Sequence, residues 1–375
     1  MMAGRSHLGL ERCGLCGLPI YVRLAAVWND DGTITGRFVH STRVVQAYVD
    51  ELDFIFDGIS ERIGLDISKI VVEGERKAGL EFTRTLLAGV HGLTGMVARN
   101  RLFSRLVFDF VIRASKNAGF GGCRVVSYRH NSLLQIEVTD SFNPAVLAGN
   151  MLGSFEAFAK RPGTVRWEGE GGRVLITIEA DGDERRVEEE RLAPVLPVVI
   201  PGDYKVERCR RCGMPVELTR RYSFDLDRGI ATEVCTGRRI VTVMIDSLNA
   251  VFKELEQELG GEISDMIVEL ESEYTREHAT MPAVLEEDKA VEQLLSDLRI
   301  KGMGNPTEIS IAGEELLVRI ENPFSEELLT GRVLGYYRAV LGDPAEVKLT
   351  PDEEGFMFVK VFRPRADRKE TGDGA

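Results

Sequence analysis

With 375 residues, 43% of them hydrophobic and 29% charged, the chain is long enough for two domains that each bury a core, and too apolar to remain disordered. A formal net charge of -13 disfavours nucleic acid, because such a surface repels phosphate on average. There is no run of about 18 apolar residues and no apolar signal core near the start, so no membrane span is expected and the chain reads as cytoplasmic.

In chain order, the first motif is "ERCGLCGLPI" from Glu11, a C-x-x-C knuckle. The run "IYVRLAAVWNDDGTITGRFVH" then reads as two strands around an Asn29-Asp30-Asp31-Gly32 turn. A helix is expected over 42–64, from apolar spacing at Val45, Val49, Leu52, Ile55, Phe56, Ile59 and Ile63; Ser41 or Thr42 would cap it and Gly64 would end it. "KIVVEG" reads as a short strand or the start of the next element. "RLFSRLVFDFVIRASKNAG" is an amphipathic helix and "CRVVSYRHNSLLQIEVTD" a hairpin. A helix carrying L-x-G-x-x-L-G follows, and "VRWEGEGGRVLITIEA" closes the series as paired strands.

The same series then recurs. "ERCRRCGMPV" begins at Glu207, and Cys13 and Cys209 are 196 residues apart. At that offset residues 11–75 align without a gap to 207–271, with 19 of 65 pairs identical. "IEVTDSFNPAVLAGNMLGSFEAF" from Ile136 matches "VRIENPFSEELLTGRVLGYYRAV" from Val318 at an offset of 182. Chance does not hold register over such stretches, so the chain reads as a tandem duplication. Repeat one is 1–195 (knuckle 11–40, helix 42–64) and repeat two 196–365 (knuckle 207–236, helix 240–260); a polar tail, 366–375, follows. The expected fold class is α+β. Each repeat would have an antiparallel sheet with covering helices, preceded by a knuckle and hairpin.

The later part of each repeat, 75–180 and 272–362, resembles the vinyl-4-reductase or hydrocarbon-binding domain, a relative of TRAPP vesicle-tethering subunits. The likeness rests on glycine pairs that end a helix (Gly119 and Gly121; Gly302 and Gly304), a hairpin, then F-x4-L-x-G-x2-L-G-x3-A and a two-stranded ending. It implies a small-molecule-binding module that often dimerises, with Phe142, Leu147 and Phe155, and Phe324, Leu329 and Tyr337, as candidate cavity walls. Ordinary core packing is the bland reading of those six. Many relatives bind metal through two cysteines in the final strand pair, and this chain has none there.

Six cysteines occur, at 13, 16, 123, 209, 212 and 235. In a reducing compartment paired C-x-x-C spacings favour metal ligation. One knuckle offers two thiolates and a closed zinc site needs four. Packing of the repeats about a pseudo-twofold axis would let Cys13, Cys16, Cys209 and Cys212 hold one structural zinc as a staple. The rival is one metal per repeat, with Cys13, Cys16 and His40, with or without His7, in one site and Cys209, Cys212 and Cys235 in the other. A redox dithiol or an iron–sulfur cluster are further options. Cys123 reads as a small core residue, the five arginines of "RCRRCG" and "TRRY" as solvated, and the acidic runs likewise. The expected function is non-catalytic: a zinc-containing protein that binds or senses an apolar small molecule. A protein-interaction scaffold with filled pockets is the alternative, and a metal or redox enzyme the third reading.

Overall fold

The computed structural model describes residues 12–37, 42–88, 101–170, 172–181, 199–279, 287–351 and 355–364. The boundary near 195 and the tail 366–375 lie outside them. The architecture is α+β, built on three antiparallel sheets.

After the first knuckle, Ile20–Ala25 forms a short helix, α1, and only Ala26–Trp28 (β1) and Ile34–Gly36 (β2) are strands. The second knuckle leads likewise into α6 (Glu217–Arg221), β8 (Tyr222–Asp225) and β9 (Ile230–Glu233). The sequence reading assigned both runs wholly to strands. Each helix follows the knuckle's proline closely, and Pro19 at the N-cap has φ -57. Proline near a helix start loses no hydrogen bond, because the first N–H groups have no intrahelical partner.

The expected helix over 42–64 divides. Arg43–Tyr48 is strand β3 and the helix, α2, is Val49–Ile63. In the second half Arg239–Met244 is β10 and Ile245–Leu259 is α7. The β-branched stretch Val44-Val45 finds a partner strand, so pairing wins over helical spacing. The helix starts where Asp50 and Glu51 supply acidic first-turn residues, and the Tyr48 backbone N–H, rather than one near Ser41 or Thr42, donates to the Glu51 carboxylate. Gly64 ends it at φ 69.

The runs starting "KIVVEG" and "MIVELE" lie in helices α3 (Ser68–Ala88) and α8 (Glu262–His278), not in strands. The remaining elements match expectation: α4 (Arg101–Asn117), β4 (Gly122–Arg129), β5 (Leu133–Thr139), α5 (Pro144–Ala159), β6 (Gly163–Glu170) and β7 (Arg173–Ala180) in the first half. The second half has α9 (Glu287–Ile300), β11 (Asn305–Ala312), β12 (Glu315–Glu321), α10 (Glu326–Leu341), β13 (Glu346–Pro351) and β14 (Phe356–Phe362).

Each half owns a four-stranded sheet, ordered β4-β5-β7-β6 and β11-β12-β14-β13. The third sheet is shared. It has six strands in the order β1-β2-β3-β10-β9-β8, joined at its centre by antiparallel β3 and β10. That ladder pairs Gln46 with Thr242, two positions 196 apart. The Gln46 N–H donates to the Lys301 carbonyl at 2.9 Å, and the Thr242 N–H to the Ala118 carbonyl at 2.7 Å.

Beneath this sheet α3 packs on α5, and α8 on α10, within each half; α3 also meets α7, and α2 meets α8, across the halves. Val45, Val241, Val243, Ile55 and Val251 belong to one hydrophobic cluster that draws on both halves. Fully burying each such side chain favours folding by about 1.5–3 kcal/mol.

Candidate metal centre

Each knuckle is a tight turn held by its own backbone. The Cys13 N–H donates to the Leu18 carbonyl and the Gly17 N–H to the Cys13 carbonyl, both at 2.8 Å. The Cys209 N–H to Met214 carbonyl and Gly213 N–H to Cys209 carbonyl bonds repeat this, again at 2.8 Å. Gly17 at φ 76 and Gly213 at φ 74 occupy the left-handed region that a side chain rarely adopts.

Two arginines brace the knuckles against the opposite half. Arg12 donates through Nη1 to the Gly17 carbonyl at 3.2 Å and through Nη2 to the Phe224 carbonyl, on β8, at 2.7 Å. Arg208 donates to the Gly213 carbonyl at 3.3 Å, to the Trp28 carbonyl, on β1, at 2.9 Å, and to Asp30 Oδ1 at 2.6 Å. These braces went unread in the sequence, although the shared Glu-Arg-Cys triplet was the available signal.

The result brings the four knuckle cysteines together. Cys13 Sγ lies 4.0 Å from Cys209 Sγ, and Cys16 Sγ 3.6 Å from Cys212 Sγ. All four sulfur atoms fall within 4.8 Å of one another. A tetrahedral zinc with Zn–S near 2.3 Å has sulfur–sulfur edges of about 3.8 Å. The spacing therefore fits one ion bound by two sulfurs from each half, and all four cysteines are free thiols.

The thiols differ in character. Backbone N–H groups of Cys16 and Leu15 lower Cys13 to about 6, and those of Cys212 and Arg211 lower Cys209. Burial raises Cys16 to about 12 and raises Cys212. One sulfur of each half therefore ionises more readily than its C-x-x-C partner.

Of the rival pair of sites, the structure describes only the cysteines. His7 and His40 lie outside the described residues, and Cys235 is exposed just beyond β9, outside the four-sulfur group. Cys123 is half-buried, its Sγ 3.5 Å from the Gly121 carbonyl, and burial pushes its thiol up to about 12.

The six candidate cavity residues lie deep in the protein. Phe142, Phe324, Leu329 and Tyr337 belong to the shared core, and Leu147 and Phe155 to a separate cluster in the first half. All are between 0% and 4% exposed. The Tyr337 hydroxyl donates to the Glu314 carbonyl at 2.8 Å. The motif glycines beside them serve helix packing. A Cβ on Gly331 would meet the Val268 carbonyl oxygen at 2.5 Å, and one on Gly335 the Ser272 carbonyl oxygen at 2.7 Å; Gly149 and Gly153 stand closer still to the Val72 and Arg76 carbonyls.

No family model matches the chain, and no curated protein matches it; the hydrocarbon-binding resemblance rests on its motifs alone. Among solved structures, a chain from work titled "Structural insights into the molecular mechanism of H-NOX activation" aligns over 32% of this chain and 75% of its own length, at 15% identity and a TM-score of 0.23. So loose a superposition transfers neither fold nor function. No helix among the described residues is long and apolar enough to cross a membrane.

Proposed function

We propose that the chain is a non-catalytic zinc protein in which one structural ion staples two tandem repeats into an intramolecular pseudo-dimer, and that the stapled body binds or senses an apolar small molecule. One observation carries the metal part: four thiols, two per half, spaced as the corners of a single tetrahedral site. Four protein sulfurs complete a tetrahedron and leave no coordination position for substrate, which favours a structural ion over a Lewis acid. Zinc fits a closed tetrahedral sulfur set better than harder cations, which prefer oxygen. X-ray absorption at the metal edge tests this directly. Four sulfur neighbours near 2.3 Å are expected, and a mixed oxygen–nitrogen shell would refute it.

The binding part rests on the hydrocarbon-binding resemblance. The deep burial of Phe142, Leu147, Phe155, Phe324, Leu329 and Tyr337 favours a second reading, an interaction scaffold with filled pockets. Native mass spectrometry of the purified chain separates the two. A co-purifying apolar compound supports the ligand reading, and a bare protein mass that no added alkane or aromatic shifts supports the scaffold.

A further inference from the structure

The helices that meet across the two halves do not carry like residues at positions equivalent by the 196 and 182 offsets. Glu75 on α3 is completely buried and hydrogen-bonds Ser247 of α7 at 2.5 Å, with Asn150 of α5 beside it. The equivalents of these three are Glu271 on α8, Glu51 on α2 and Arg332 on α10. There the Arg332 guanidinium donates to Glu271 at 2.8 Å and also to Glu51. One site is therefore a lone carboxyl among neutral partners, and the other an arginine between two carboxylates.

Shape and surface charge differ in the same sense. Gly74 on α3 lets the Val251 backbone of α7 approach so closely that an added Cβ would lie 2.7 Å from the Val251 Cα. The position equivalent to Gly74 is Leu270, whose side chain fills the space left by Gly58 on α2. Lys77 of α3 pairs with Glu254 of α7, and Arg62 of α2 with Glu273 of α8, both at 2.6 Å. Repeat one supplies both cations and repeat two both anions.

We infer that this helix face is heterotypic: each repeat is built to dock on the other and refuses a copy of itself. Repeat one against its own copy would set Glu75 opposite Glu51, two buried carboxyls with no cation. Repeat two against its own copy would drive Leu270 into the Val251 backbone and set Glu273 against Glu254. The partner this surface fits is the chain's other half, so a second copy of the same repeat gains no foothold there.

The full-length chain tests this with variants that mimic self-pairing. Lys77→Glu presents to Glu254 what repeat two would present to itself; Glu254→Lys, whose position in repeat one is Gly58, sets a like charge against Lys77 and supplies the other half of the swap. Each single change is expected to lower the folding equilibrium about fivefold in urea titrations, and the double swap to recover to within about twofold of the parent. Ser247→Glu recreates the paired carboxyls, with the equally large Ser247→Gln as its neutral control. The groups facing Glu75 are Ser247 from α7 and Asn150 from α5; the neighbouring charges Arg76 and Lys77 already pair with Glu73, Glu156 and Glu254. At pH 8 the Glu variant is expected to fold at least about tenfold less favourably than the Gln variant, and at pH 5 the two should converge. A double swap no more stable than its singles, or Glu and Gln variants alike at pH 8, overturns the inference.

Discussion

Glu75 shows how much rests on single buried side chains. Burial raises its carboxyl from 4.5 to about 7, opposed by hydrogen bonds from Ser247 and Asn150. Between those two values the folded chain holds a proton that the unfolded chain has released. Glu75 therefore adds stability that is complete below about 4.5, falls as pH rises through about 7, and is absent above that; the span is worth about 3 kcal/mol. Glu75→Gln is expected to be more stable than the parent at pH 8 and to remove this slope from urea midpoints measured at pH 5, 6, 7 and 8. Parallel profiles for parent and variant would contradict it. Arg332 is the opposite case, a buried cation whose loss strands Glu51 and Glu271, which are 1% and 0% exposed. Arg332→Met should cost about 3–5 kcal/mol by chemical denaturation. Neither residue was legible in the sequence, because a charged residue on a buried helix face looks locally like one on a solvated face. The available signal was that Glu75 and Glu271 coincide within the apolar runs "VVEGE" and "IVELE".

At the scale of elements, the C-x-x-C knuckles, both later hairpins and the glycine-bearing helices α5 and α10 were readable, because turn residues and strong periodicity set them locally. Strand β3 was not. Its pairing with β10 joins residues such as Val45 and Val243, and no local pattern reports a contact of that range. "KIVVEG" was ambiguous for another reason: a short apolar run has no period of its own, and only the length of α3 identifies it as helical. The L-x-G-x-x-L-G motif was visible in the sequence, but its role was not. In the structure its glycines let α5 lie against α3, and α10 against α8. Gly153→Ala would press a methyl group into the Arg76 carbonyl oxygen and should cost about 2 kcal/mol or more, seen as a lower urea midpoint at unchanged slope. An unperturbed midpoint would show that the helices separate easily.

For the whole molecule, three features bind the halves: the shared six-stranded sheet, the helix face with its unlike sides, and the four-cysteine cluster. The arginine braces join the last to the first, since Arg12 and Arg208 each reach from a knuckle to a strand of the other half. Removing the proposed ion should therefore loosen the knuckle end of the sheet first. A chelator is expected to lower the thermal midpoint and to speed amide exchange at Cys13–Trp28 and Cys209–Phe224, while β5, β7, β12 and β14 stay protected. The most direct test of the shared site is the metal content per chain of the parent and of Cys209→Ser. A single shared site predicts one zinc per chain in the parent and none in the variant. Two metals per chain with one surviving the substitution, or no metal in the parent, would contradict it.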